Sequence, residues 1–229
     1  MAAHLQGAPP RVWDPVVRLS HWGIAAVVVG NGLLTQGGSV LHVWLGWIGL
    51  GFLVLRLLWG LVGPHEARFV SFPPNPRHGI AHLRTVVKGR PPEYRSHNPA
   101  GALMVYALWA MLAVVIATGL LMTGGETPFD AQNRAQVIAQ GDWSQLSPDQ
   151  GSGDQGSGDQ GSGGEDQGEG GGDHAPTLLR DVHEAGANLL LILAVLHLGG
   201  VLVESVALRR NLVRPMILGQ RKGADTPGE

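Results

Sequence analysis

The sequence predicts an all-α integral membrane protein: a four-helix bundle with both termini in the cytoplasm and a disordered, acidic, glycine-rich outer loop. Three observations predict it. Four apolar stretches each approach the ~20 residues needed to cross ~30 Å of hydrocarbon at ~1.5 Å per residue. The connections between them sort by charge. One connection contains a polar glycine repeat, residues 151–173, without a single apolar side chain.

The first stretch runs from Val16 to Leu34. Basic residues precede it in "RVWDPVVRLSHW", but no small-residue cleavage site follows, so an uncleaved first membrane helix is expected rather than a signal peptide. The second, Val40 to Val62, begins behind Ser39, a suitable helix cap, and carries Arg56. The third, Ala102 to Met122, has no charge at all. The fourth runs from about Val182 to Leu208 and carries Glu184 and Glu204. Buried helices of a soluble bundle would need polar outer faces, which these stretches lack. The spans are set at about 16–35, 40–62, 102–122 and 182–206, inside a membrane domain of residues 1–218 with a tail at 219–229.

The net charge of −2 averages over opposed regions. Between the second and third stretches lie Arg68, Arg77, Arg84, Lys88, Arg90 and Arg95. Arg209, Arg210, Arg214, Arg221 and Lys222 follow the fourth, and Arg11 and Arg18 flank the first. The positive-inside rule places these regions in the cytoplasm, and an even number of spans agrees. Within the basic loop, "HGIAHLRTVVKG" spaces Ile80, Leu83, Val86 and Val87 as an amphipathic helix at the lipid surface, its basic residues among anionic headgroups. Trp13, Trp22, Trp44, Trp47, Trp59 and Trp109 fall mostly near helix ends, as interface anchors do.

The outer connection spans residues 124–175 and contains the repeat Gly151–Asp173, which cannot bury enough surface to offset its ordering entropy. It serves as a solvated spacer or as an electrostatic lure for a basic partner.

Four histidines stand inside the apolar stretches, where an imidazole is costly unless partnered. His21 lies in the cytoplasmic half of the first, His42 at the outer start of the second, and His183 and His197 in the fourth. Fourteen residues separate the last two, close to four helical turns, so both leave one helix face ~21 Å apart. His42 answers His183 at the outer level, and His21 answers His197 at the inner level. The other histidines (His4, His65, His78, His82, His97, His174) lie in loops or tails and are expected to be mostly solvated.

Two imidazoles from facing helices, without carboxylate or thiolate, suit a haem iron with two axial ligands. A zinc ion would want four ligands close together. The chain has no cysteine, which excludes disulfides, iron–sulfur clusters on thiolates and covalent haem attachment. Gly23, Gly46, Gly49, Gly186 and Ala187 would let a flat macrocycle approach the backbone, or else let helices pack closely. Arg18 and Arg56 are candidates for the haem propionates, or snorkel to the interface.

At these residues the chain resembles the bacterial four-helix di-haem cytochrome b family, which includes cytochrome b-561 and the b-type cytochrome subunit of nickel–iron hydrogenases. The motifs are "RVWDPVVRLSHW", "HVWLGWIGLGFLVLRLLWGLVGPHEARF", "YRSHNPAGALMV", "VHEAGANLLLILAVLHLGGVL" and "RRNLVRPMILGQRKG". The resemblance implies ligation of two non-covalent haem b groups by the same four histidines. It further implies electron transfer in a bacterial inner membrane with the quinone pool or an outer redox partner, such as a hydrogenase, a dehydrogenase or a c-type cytochrome. The expected role is that of an electron-transfer cytochrome, or the cytochrome subunit of a quinone-linked oxidoreductase, with no nucleic-acid partner. The alternatives are a stand-alone oxidoreductase acting on a small molecule such as superoxide at the outer haem, and a haem-free membrane scaffold.

Overall fold

A computed structural model describes residues 14–87, 98–141, 174–209 and 211–218. The acidic repeat 151–173, the tail 219–229, and Arg11, Trp13, Lys88, Arg90, Arg95, Arg210, Arg221 and Lys222 lie outside the described residues.

Helix α1 (Pro15–Val29) starts where Asp14, in extended conformation, accepts the Val17 N–H at 2.9 Å. Pro15 occupies the first turn, where its missing N–H costs nothing. The helix then widens into a π-helical turn, Gly30–Leu34. Helix α2 (Val40–Val62) is capped by the Ser39 hydroxyl, which accepts from the His42 N–H at 3.2 Å. Two 3₁₀ turns, His65–Ala67 and Phe69–Ser71, lead to α3 (Pro76–Val87). Helix α4 (Pro99–Met122) is capped by Asn98. Helices α5 (Pro128–Gln140), α6 (His174–Ala207) and α7 (Arg214–Leu218) complete the described chain.

Among the described residues, four segments are long and apolar enough to cross a membrane: Pro15–Leu34, Val40–Val62, Pro99–Met122 and Thr177–Ala207. Only 6% to 22% of the most apolar window in each is buried within the chain, so these faces need lipid, not water, around them. Two features depart from the sequence-based expectation. Helix α6 begins eight residues before position 182 and, at 34 residues, is ~51 Å long. The outer connection, expected to be irregular, contains α5, with a Thr127–Asp130 capping box at its start and Gly141 in the left-handed region at its end.

Helix α6 lies along α4, and α1 along α2, while α2 and α4 join the two halves. Leu53, Leu112 and Leu190, one from each of α2, α4 and α6, form the buried core. By contrast α6 touches α1 only briefly, and α2 less still. A gap therefore runs between α6 and the α1–α2 pair.

The end of the bundle where α1 starts and α6 finishes is called proximal here, and the opposite end distal. At the proximal end the chain after α2 folds back into the bundle. Phe69, Phe72, Tyr106 and Trp109 stack there with ring centres 5.6–6.4 Å apart. Gly60 is required, because a Cβ would enter the Phe69 ring. Trp109 thus sits in this cluster rather than at an interface, with the Arg56 guanidinium 4.8 Å above its ring. Trp22, Trp47 and Trp59 donate their indole N–H groups to Met216 O, Glu126 O and Asp14 Oδ2.

Helix α3 leaves Ile80 and Leu83 more than half exposed, as a helix at a lipid surface would. His82 corrects the expectation of a solvated loop residue. It is buried on the side of α3 that meets the bundle, with Nε2 3.7 Å from a Glu204 carboxylate oxygen, and Asn98 Nδ2 donates to the other oxygen.

Candidate functional site

The four intramembrane histidines meet in two pairs. His21 of α1 faces His197 of α6 with ring centres 6.3 Å apart. His42 of α2 faces His183 of α6 at 6.1 Å. A metal–imidazole bond is ~2 Å, and the ring centre lies ~1 Å beyond the nitrogen, so two imidazoles on one ion stand ~6 Å apart. Both pairs have this spacing. The helices that carry facing histidines are also those that barely touch, so the pairs bridge the gap along α6. Leu190 of the core stands seven residues from each α6 histidine and separates the two levels.

The distal pair is held by hydrogen bonds. His183 Nδ1 lies 3.0 Å from the Val115 carbonyl and 3.1 Å from Thr118 Oγ1. A carbonyl only accepts, so Nδ1 carries the proton and Nε2 keeps a free lone pair. The Thr118 hydroxyl donates back to Val114 O at 2.8 Å, leaving it to accept from the ring. Gly119 leaves room for the imidazole: a Cβ there would come within 3.2 Å of His183 Cε1. The π-helical turn serves His42. Asn31 donates to the His42 carbonyl at 3.1 Å. Thr35 Oγ1 lies 3.1 Å from Asn31 O, to which it donates, and 3.3 Å from His42 Nδ1, from which it accepts.

The proximal pair is different. His21 Nδ1 is buried and has no hydrogen-bond partner among the described residues. The neighbouring Ser20 is fully buried, with its hydroxyl donating to Val17 O at 3.1 Å.

Two facing imidazoles with no further donor would suit the iron of a tetrapyrrole, which supplies its own remaining ligands. Among the described residues no cluster of three or more His, Cys, Asp or Glu could hold a bare metal ion instead. The donor set and the gap therefore fit haem b. A model of one protein family, described as prokaryotic cytochrome b561, matches residues 12–219. The chain belongs to that family. No curated protein and no solved structure matches it. As a prokaryotic cytochrome b561, it is a b-type electron-transfer cytochrome that passes several times through the bacterial inner membrane and binds haem b.

Other expected site residues are placed less simply in this cytochrome. Arg18 donates through Nε to Met216 O at 3.2 Å and through its terminal nitrogen to Ile217 O, so it ties α1 to α7. Arg56 is buried, and both terminal nitrogens lie 3.4 Å from Ala67 O. Both guanidiniums are thus held by backbone carbonyls. Among the glycines, Gly23 faces the Phe52 ring, Gly49 faces Val27 and Gly186 faces Val115, which is close packing. Only Gly46 of that group, one turn past His42, opens onto free space where a macrocycle could lie. Asn31, Thr35, Thr118 and Gly119 were not evident from the sequence. The signal available was the one threonine of an uncharged apolar stretch, Thr118, whose hydroxyl had to find a partner.

Proposed function

We propose that this cytochrome holds two haem b groups, one between His21 and His197 and the other between His42 and His183. They relay single electrons between a redox protein outside the membrane and the quinone pool, as part of respiratory electron transport. The observation that carries this reading is the meeting of four histidines in two pairs, each at the spacing of two axial ligands. By the positive-inside rule the proximal end, with its arginines, is cytoplasmic and the distal end is outer. Arg18 and Arg56 lie at the proximal level, where each would have to turn from its carbonyl to meet a propionate.

When bound, haem b supplies a one-electron iron couple. The chain's residues do the rest. His21 with His197, and His42 with His183, would hold the iron from both sides, which would leave no position for oxygen and favour electron carriage. The core around Leu53, Leu112 and Leu190 keeps water from the space between the levels. The acidic repeat 151–173 supplies a negative field that draws in a basic partner.

Acid–acetone is expected to extract all the haem from the purified protein, and pyridine haemochrome assay to return two equivalents per chain. One equivalent would overturn the pairing.

A further inference from the structure

The two histidine pairs differ in what supports them, and the difference has a redox consequence. At the distal level both imidazoles have acceptors at Nδ1: Thr35 Oγ1 for His42, and the Val115 carbonyl with Thr118 Oγ1 for His183. An acceptor at Nδ1–H draws the proton outward and makes the ring a more basic ligand. A more basic ligand favours ferric over ferrous iron and lowers the reduction potential.

At the proximal level the described residues supply His21 with no such acceptor. His21 Nδ1 is buried without a hydrogen-bond partner among the described residues. The buried cation Arg56 lies fourteen residues past His42, which brings it to the proximal level. Burial and a nearby positive charge both disfavour the extra charge of ferric iron. Glu204, two turns beyond His197, has the opposite sign, but its carboxylate is engaged by His82 and Asn98. Ligand basicity and burial thus act in one direction, while the charges of Arg56 and Glu204 oppose each other.

We infer that Thr35 and Thr118 are positioning residues that poise the distal haem at a lower potential than the proximal one. The π-helical turn Gly30–Leu34 has a role in this. It directs both Asn31 and Thr35 at His42, the first fixing the backbone and the second the ring. Such turns occur mostly at functional positions. This inference rests on the di-haem reading and adds to it an order of potentials and the residues that set it.

The test is optical redox titration of the purified holoprotein, with haem content measured on each sample. Wild type is expected to titrate as two unequal components, the lower of which is missing in His42→Ala and the higher in His197→Ala. Thr118→Val leaves the Val115 carbonyl in place, so alone it should raise the lower component only partly. Thr35→Val together with Thr118→Val should raise it by about 59 mV, so that the ferric-to-ferrous ratio at fixed ambient potential falls about tenfold for a one-electron couple. Thr118→Ser should restore it. A purely structural role for the threonines would lower haem content without this shift. If Thr118→Val does not fold, Thr35→Val alone still has to move the lower component and leave the upper one in place. Two haems with the lower component unmoved, or with the lower component lost in His197→Ala, would overturn the inference while leaving the di-haem reading intact. One haem or none in wild type would sink both.

Discussion

The two ends of the bundle use polar side chains for different tasks. At the proximal end they brace the architecture: Asp14 caps α1 and receives the Trp59 indole of α2 at 2.8 Å, while Arg18 and Trp22 hold α7. His82, Asn98 and Glu204 join α3, α4 and α6 at the same end. At the distal end two threonines orient rings instead, Thr35 serving His42 and Thr118 serving His183, while Asn31 fixes the His42 backbone. The proximal end therefore locks helices together, whereas the distal end aims ligands with hydroxyls that leave the helices little more tightly joined. A membrane protein that cannot rely on hydrophobic exclusion between its helices has to find this bracing somewhere, and here one end supplies most of it.

Removing a ligand at either end is the largest test of that contrast. His42→Ala is expected to lose the distal haem and keep the proximal one, and His197→Ala to do the reverse. Each variant should bind one of two equivalents and lose a different component of the reduced-minus-oxidised spectrum. Loss of the same component in both would mean that the levels do not pair as they lie in the structure.

A brace at the proximal end should matter next. Asp14→Ala removes a helix cap and the acceptor of a half-buried indole bond at once, which should cost about 1–3 kcal/mol. The measurement is thermal unfolding in detergent followed by circular dichroism. Thr118→Val in the same assay should change stability less than Asp14→Ala. The opposite order would erase the distinction between bracing and aiming.

The smallest expected effect lies in α5, whose capping box is solvent-exposed. Hydrogen bonds from the Thr127 hydroxyl and backbone N–H hold the Asp130 carboxyl below its ordinary 3.8. A pKa depressed on folding contributes stability that is present above the unfolded value and lost as pH falls through the folded one. The first turn of α5 should therefore fray below about pH 4, with faster amide exchange there and none of that change in Asp130→Asn. Equal pH dependence in the two proteins would remove the cap from the account.

The parts of this fold set by length and period were legible in the sequence. Four stretches long enough to cross a bilayer could form nothing else, and the fourteen-residue spacing of His183 and His197 fixed their common face before any neighbour was known. What was hidden depends on how helices rotate against each other. Gly23 and Gly46 look alike in sequence, yet one faces Phe52 and the other open space. His82 sits in a basic loop that reads as solvated, and only the docking of α3 on α4 brings it to Glu204, far along the chain. Trp109 became part of an aromatic cluster because the chain after Gly63 folds inward rather than along the lipid surface.

On the proposed di-haem reading, the spacing along α6 also makes electron transfer between the levels sensitive to voltage. The two histidine levels lie ~21 Å apart in ~30 Å of hydrocarbon, so a charge moved between them crosses about two thirds of the membrane field. A full crossing is worth ~2.3 kcal/mol per 100 mV, which makes this step ~1.5 kcal/mol per 100 mV. With the proximal end facing the negative cytoplasm, as proposed from the positive-inside rule, an electron moving inward would climb that field. A tenfold preference for the proximal site, about 59 mV, would be cancelled by a transmembrane potential of roughly 90 mV. An energised membrane would therefore hold electrons back at the distal level, and a depolarised one would let them pass.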